Sequence, residues 1–538
     1  IMGMVDGAIL LVDAAEGPLP QTRFVLQKSL RTGHRVILII NKVDRPECKD
    51  GLRIHEVVNQ TFDLFVELGA NEKQLEFPIL YACGKDGWCT TEFEDVAKVL
   101  AGTMEKPTLK PLYDAILNEV PAPRIGEAPG FQMLVSNLSY SEYVGRLAIG
   151  RVMSGGLKRS QKILRRGIDP NSGNPKNETF GAAKLYTFEG LKQAEVENIV
   201  AGDIGVVAGN EQVEIGDTLC GDDQVPAMPR IYVEPPTIGM VFSVNTSPLS
   251  GREGEAIQSR KLRERLLREA RNNVAIRFEE TPLPDQFRIL GRGELQFAIL
   301  IEQMRREGFE IMVGKPTVLS QNDPATGQKL EPVERAVLDL PEEHSGEVTR
   351  LFQERKGILT KFEAQQHGRA RLEFEIPTRG LLGIRSRYLT LTRGSGLFST
   401  EFLGYQPHKG LIVHRINGAL VSDRAGETME YALLNLEDRG VLFFKQGVEV
   451  YEGMVVGENN KDTDLNVNVC REKKLTNVRA AHAELLVTLS GIRQMPLERC
   501  IEWIDDDEWI EITPKNVRVR KKILAQNLRP IKRNQAEG

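Results

Sequence analysis

Residues 36–46, "VILIINKVDRP", carry an apolar β-forming run straight into Asn41, Lys42, Val43 and Asp44. These side chains suit the reading of a guanine base. The Asp44 carboxylate can accept hydrogen bonds from both the N1–H and the exocyclic amine of guanine. Adenine presents a lone pair at N1, so the carboxylate would stay unpaired there, a penalty of about 1–3 kcal/mol. The Lys42 stem can lie along the base plane, and Asn41 can tie neighbouring loops together. Further on, "YACGKDG" (81–87) follows another apolar run. The backbone N–H groups of Cys83, Gly84 and Lys85 can point at the guanine O6 there, with Gly84 letting the main chain come close. The second stretch alone reads equally well as an ordinary turn after a strand, and an Asx-type turn is the plainer alternative for the first. Their order within one domain favours the base-reading site.

Such turns need a frame, and residues 1–120 supply the signals of one. "GAILLVDA" is a continuous apolar strand, "PQTRFVLQKSLRTG" has helical periodicity closed by Gly33, "RVILIIN" is a second strand, "VVNQTFDLFVELG" a helix and "FPILYAC" a third strand. Alternation of this kind predicts a doubly wound α/β domain that binds its ligand at the carboxyl ends of the strands. Asn41 and Cys83 lie at such ends. A Pro- and Gly-rich linker follows at 121–130, then short glycine-punctuated strands over 131–226 that suit an antiparallel barrel. Two β-α-β-β-α-β patterns, 227–316 and 317–406, predict ferredoxin-like domains. A mixed domain over 407–528 and a basic tail at 529–538 complete the chain. The expected fold class is therefore multidomain α/β and α+β.

Composition narrows the remaining chemistry. No apolar run approaches the roughly 18 residues a membrane helix needs. The six cysteines are scattered without Cys-x-x-Cys, and the seven histidines sit in no ligand spacing. That pattern favours a reducing cytosol over disulfides or zinc. No Ser/His/Asp, Cys/His or paired-carboxylate set stands out, which leaves an ordinary metabolic enzyme poorly supported. The net charge of −5 conceals basic clusters in "SRKLRERLLREARNN" (259–273) and in the last 27 residues. Lys473, Lys474 and Arg479 fall in a polar loop; Arg518, Arg520, Lys521 and Lys522 follow in "NVRVRKK", with both arginines on one strand face. Grouped cations suggest a polyanion such as RNA, against the plainer reading of a solvated surface.

A corner that reads guanine needs a loop that holds phosphates. The 538 residues contain no Gly-x-x-x-x-Gly-Lys-Ser/Thr and no Asp-x-x-Gly-His segment. Because the chain opens with Ile one residue ahead of a hydrophobic stretch, truncation is the expected explanation, and the catalytic residues are expected before Ile1.

The resemblance that accounts for these features is carried by long stretches. "LVDAAEGPLPQTRFVLQKSL…VILIINKVDRP" resembles the middle of the G domain of translational GTPases. "GRLAIGRVMSGGLK" with "AGDIGVVAG…IGDTL" is similar to their barrel domain, and "FRILGRGELQFAILIEQMRREGFEIMVGKP" and "GLLGIRSRYLTLTRGSG" to two further domains of elongation factor G. "VNTSPLSGREG", "EDRGVLFFKQGVEVYEGMVVGE", "KKLTNVRA" and "IDDDEWIEITPKNVRVRKK" resemble the TypA/BipA family over essentially the whole chain. Where that family usually has Ser-Ala-Leu, this chain has Cys83-Gly84-Lys85, a change that leaves backbone contacts to the base in place. The resemblance implies a partial P-loop-type G domain, an antiparallel β-barrel, two ferredoxin-like domains and a family-specific C-terminal domain. It further implies GTP and Mg²⁺ as ligands, the ribosome with its large subunit and factor site as partner, contacts to rRNA and tRNA, and a cytoplasmic monomer. Guanine contacts fall to Asn41, Lys42, Val43, Asp44, Cys83, Gly84 and Lys85. RNA contacts fall to Lys473, Lys474, Arg479, Arg518, Arg520, Lys521 and Lys522. A non-catalytic RNA-binding factor and a LepA-like factor are the alternatives.

Overall fold

The computed structural model describes residues 2–48, 51–168, 174–190, 192–231, 233, 235–323, 326–365, 368–412, 415–472 and 491–530. The chain divides into two compact units, Ile1–Val233 and Glu234–Gly538.

The first unit opens with a sheet of four strands in the order β1 (Gly7–Asp13), β2 (Arg35–Asn41), β3 (Ile79–Cys83) and β4 (Trp88–Thr90). β1, β2 and β3 are parallel, and β4 turns back against β3. β2 buries five consecutive residues, Val36 to Ile40, because a central parallel strand is covered on both faces. One face packs on α1 (Pro20–Arg31) and α2 (Leu52–Glu67) through Leu26, Leu30, Ile54, Val57 and Phe65. The other face, Ile37 and Ile39, meets Leu112, Ala115 and Ile116 of the helix Lys110–Glu119. α1 starts on a proline, whose missing N–H costs nothing at that position. Gly33 follows its last turn at φ +75°, a left-handed residue that stops the helix and releases the chain into β2. β1 pairs on one side only among the described residues, leaving Ile9 and Leu11 exposed.

Beyond this sheet, residues 132–220 form an eight-stranded antiparallel sheet, with a separate ribbon made by Gly156–Lys158 and Asn198–Val200. Met4 packs on this region beside Leu147, Ile149, Val206 and Ala208, and Asp6 pairs with Arg151 (2.8 Å). The residues just ahead of β1 are thereby pinned to the barrel.

The second unit contains two split β-α-β sheets. The first has the strand order Arg277–Glu280, Gln286–Gly291, Ile238–Val244, Ile311–Val313, backed by helices Ser259–Asn272 and Glu294–Arg306. Its edge does not end there. Ile311–Val313 pairs with Glu508–Ile512, which pairs with Val517–Lys521, so strands from either end of the unit complete one sheet. Sequence periodicity carries no trace of this pairing, since the partners lie about two hundred residues apart. The second split sheet runs Ile358–Gln365, Arg369–Pro377, Lys329–Pro341 and Leu397–Pro407. A third, mixed sheet joins Gly440–Leu442, Val455–Asn459, Ala419–Ser422 and Leu465–Val467.

Candidate functional site

Parallel register puts Asp13, Asn41 and Ala82 side by side at the carboxyl ends of β1, β2 and β3. Asn41 is the tie between them. Its main-chain oxygen accepts from the Ala14 N–H (2.8 Å), and its Oδ1 accepts from the Gly84 N–H (2.9 Å). Val43 is wholly buried and donates its N–H to the Ala82 oxygen (3.3 Å), which fixes the turn from inside. Lys42 sits between these two anchors at φ +62°, a left-handed conformation that costs a side-chain-bearing residue about 1 kcal/mol or more. Its Nζ reaches Asp13 Oδ2 (2.9 Å), as does Arg45 Nη2 (3.2 Å).

Asp44 is exposed and makes no ion pair among the described residues. Its neighbour is the buried Cys83 thiol, which burial first, and the Asp44 carboxylate as well, push above its ordinary pKa. The thiol therefore stays protonated and can donate to Asp44. Gly84, Lys85, Asp86 and Gly87 form an exposed turn, closed by Asp86 and Gly87 N–H groups donating to the Cys83 oxygen (3.2 and 2.9 Å). Lys106 holds Asp86 away to one side (2.7 Å). The arrangement is thus an open carboxylate, an open lysine stem and an N–H-bearing turn, gathered at one edge of the sheet.

Asp13 is the member that sequence reasoning did not assign to this site. Burial works to raise its pKa, but the Lys42 ammonium and the Ala15 and Glu16 N–H groups outweigh that and hold it below the ordinary carboxylate value. The signal was an acid ending an apolar strand, next to the strand that ends in Asn41. Asp13, Lys42 and Asn41 also line a cavity of about 220 Å³ with Leu11, Glu16 and Thr22.

The cations proposed for RNA fare differently. Lys473, Lys474 and Arg479 lie outside the described residues. Arg518 and Lys521 are buried, and this corrects their reading as phosphate contacts. Arg518 pairs with Glu253 (3.3 Å) and Glu511 (3.4 Å), while Lys521 Nζ is held by Asp464, Asp507 and Glu508. Arg520 is also buried, 4% exposed, and cannot lie flat on a duplex. Lys522 alone of this group is exposed. The physical reason is the sheet: these residues are strand, not tail, and the loop "VNTSPLSGREG" covers them. In that loop Asn245 and Ser247 bind Glu511 (3.3 and 2.6 Å), and Gly251, Glu253 and Gly254 donate their N–H groups to buried Glu310. The basic helix 259–272 is likewise mostly paired, with Arg260 to Glu264, Arg263 to Glu280 and Arg265 to Glu269 and Glu307.

Comparison with known proteins gives this architecture its class. Residues 1–122 match the elongation factor Tu GTP binding domain, 130–222 elongation factor G domain 2, and 328–416 the elongation factor G C-terminus. The corner at Asn41 therefore stands in a GTP-binding domain of the translational GTPase class. Residues 417–526 match the TypA/BipA C-terminal domain. The chain is 42% identical over 530 residues to a large ribosomal subunit assembly factor BipA of Bacillus subtilis, covering 98% of this chain and 83% of the relative. Against the BipA of Escherichia coli K12 it is 43% identical over 528 residues, 98% of this chain and 84% of the other. The chain belongs to the TypA/BipA family of GTPases.

Proposed function

We propose that Asn41, Lys42 and Asp44, with the turn at Cys83, Gly84 and Lys85, read the guanine base of GTP in a factor that works on the ribosome, in assembly of the large subunit. The observation that carries this is the Asn41 tether. By holding the Gly84 N–H it locks the two base-facing turns to each other, so Asp44 and the Lys85 N–H stand on joined turns without rearrangement, the Gly84, Asp86 and Gly87 N–H groups being spent within the corner. Asp44 accepts from the base, Lys42 flanks it, and the buried Val43 supports both.

The relatives' name supplies the ribosome; contact with rRNA and tRNA there, by a cytoplasmic monomer, is what the family resemblance implies. No helix among the described residues is long and apolar enough to cross a membrane. Mg²⁺ is expected to need the hydroxyl of a phosphate loop, which these 538 residues do not contain. Among the described residues no group of three or more His, Cys, Asp or Glu is gathered for a metal.

Asp44→Asn tests the reading in a version carrying a phosphate loop. The amide donates where the carboxylate accepted, so preference should pass from guanine to xanthine nucleotides, a swing of about 1–3 kcal/mol each way. Nucleotide competition reads it. Unchanged GTP preference would remove Asp44 from the role.

A further inference from the structure

In the last strand pair one cation lacks the partners its neighbours have. Arg518 and Lys521 are each bound by two or more carboxylates, and Arg415 lies on Glu508 (2.8 Å). Arg520 forms no ion pair among the described residues. Its Nε donates to the Lys521 oxygen (3.2 Å) and its Nη2 reaches the Lys522 oxygen (3.5 Å), while Nη1 has no hydrogen-bond partner. Burial lowers its pKa from the ordinary arginine value, and Tyr451 and Glu511 offset only part of that. Glu511 is already taken by Ser247, Asn245, Tyr451 and Arg518. A buried guanidinium without a counter-charge is costly, and an anion arriving from outside would relieve it.

Arg520 lines a cavity of about 270 Å³. Trp509, its cross-strand partner, and Met312 give that cavity an apolar wall. Exposed Lys522 stands at it too, with Nζ 5.1 Å from the centre of the Trp509 ring. Asp285 is the one acidic side chain on the lining, so the cavity carries an excess of positive charge. Its volume is at the small end of ligand pockets, roughly 300–1,000 Å³, which suits one unstacked nucleotide and excludes a duplex. Aromatic wall plus flanking cations is the recurring design for a single-stranded nucleotide.

We infer that this cavity binds one nucleotide unit, with its phosphate on Arg520 and Lys522 and its base against Trp509 and Met312. Lys522 leaves the ring face to meet the phosphate. Asp285 would repel a phosphate beside it and is suited to accept from an exocyclic amine of the base. The nucleotide can belong to an RNA strand or be free in solution; the strand deepens the ribosome reading above and rests on it.

The three tryptophans make the test direct. In the 538-residue chain labelled with 5-fluorotryptophan, Trp509→Phe identifies the Trp509 fluorine signal. Single-stranded hexa-adenylate RNA should shift that signal saturably. Lys522→Glu should weaken saturation roughly tenfold and lower the log–log salt slope by about 0.7. Arg520→Gln should also weaken it and is read only if the other two fluorine signals keep their positions; Lys522→Glu decides otherwise. AMP matching the RNA shift at equal concentration assigns the site to free nucleotides, whereas a shift with RNA alone assigns it to a strand. No shift with either probe, or full saturation in Lys522→Glu, overturns the pocket even if the chain pellets with ribosomes. A Trp509 shift in a chain that fails to pellet would overturn the ribosome reading and leave the pocket standing.

Discussion

"NKVDR" (41–45) and "RVRKK" (518–522) are both short charged stretches beside a β-strand, and the fold treats them in opposite ways. The first begins on Asn41, the last residue of β2, and runs on where the chain leaves the sheet. Its Lys42 and Asp44 emerge at the open carboxyl edge, and the tie that orders them, Asn41 to Gly84, is made by a neutral side chain. The second stretch is still inside a strand. Covered by the loop 245–254 and by Arg415, it turns Arg518 and Lys521 inward to Glu253, Glu508 and Glu511, while Arg520 has no ion pair among the described residues and Lys522 is exposed. Residue type is common to both. What differs is enclosure: Lys42 pairs with Asp13 at an open edge, whereas Arg518 and Lys521 are buried with their carboxylates, and that decides which side chains can meet a ligand.

Glu508→Gln should break the buried side of this contrast most severely. Glu508 is fully buried and binds Arg415 through both oxygens (2.8 and 3.0 Å) as well as Lys521 (2.8 Å). Leaving two buried cations short of a partner should cost about 3–5 kcal/mol, seen as a lower urea midpoint with unchanged slope. A loss near zero would mean these charges are solvated after all and would return Lys521 to the list of available cations.

Glu294 offers the next largest effect, through pH. It sits at the start of helix Glu294–Arg306, with both oxygens near the Gly383 N–H (3.2 Å each). Burial, and then Glu502, push its pKa up to about 7; the Gly383 N–H, Arg355 and Arg385 act against this. Glu502, bound by the Ser386 hydroxyl (2.8 Å), is raised too, chiefly by burial. A carboxyl that binds its proton more tightly when folded loses stability as pH rises from the unfolded value of 4.5 to about 7, and is level above that. The loss should be roughly 3–4 kcal/mol at most. Glu294→Gln should flatten that slope, stabilising the chain at pH 8 and leaving it unchanged at pH 4.5. Denaturant midpoints across pH 4.5–8 measure it; identical slopes in both proteins would refute the assignment.

On the exposed side the effects are smaller. Asn41→Ala removes the tether to Gly84 and should cost about 1 kcal/mol of stability, while guanine affinity in a version with a phosphate loop falls further. Lys42→Gly is the smallest in stability. Relief of the left-handed φ should offset loss of the half-exposed pair with Asp13, for a net change within about 0.5 kcal/mol. Guanine binding should nevertheless drop. If Lys42→Gly instead destabilises strongly, Lys42 is there to hold Asp13 and not a base.

Local pattern alone determined much of the first region. Five apolar residues in a row mark a strand buried on both faces, and a helical repeat closed by Gly33 marks where β2 can begin. The base-reading residues follow the strand directly, so their exposure comes from the strand's end, a feature written within a few residues. The split β-α-β patterns of the second unit were legible for the same reason. The strand Glu508–Ile512 reads as apolar and acidic by turns, yet its place beside Ile311–Val313 was not legible. Nor was the inward turn of Arg518, whose partner Glu253 is 265 residues away. Side-chain periodicity reports which face of an element is apolar. It carries no information about which distant carboxylate will reach a cation, because that pairing is set by how separately formed sheets and loops close on one another. Asp13 and Lys42, brought together by the parallel register of β1 and β2, show the same rule at the guanine corner itself.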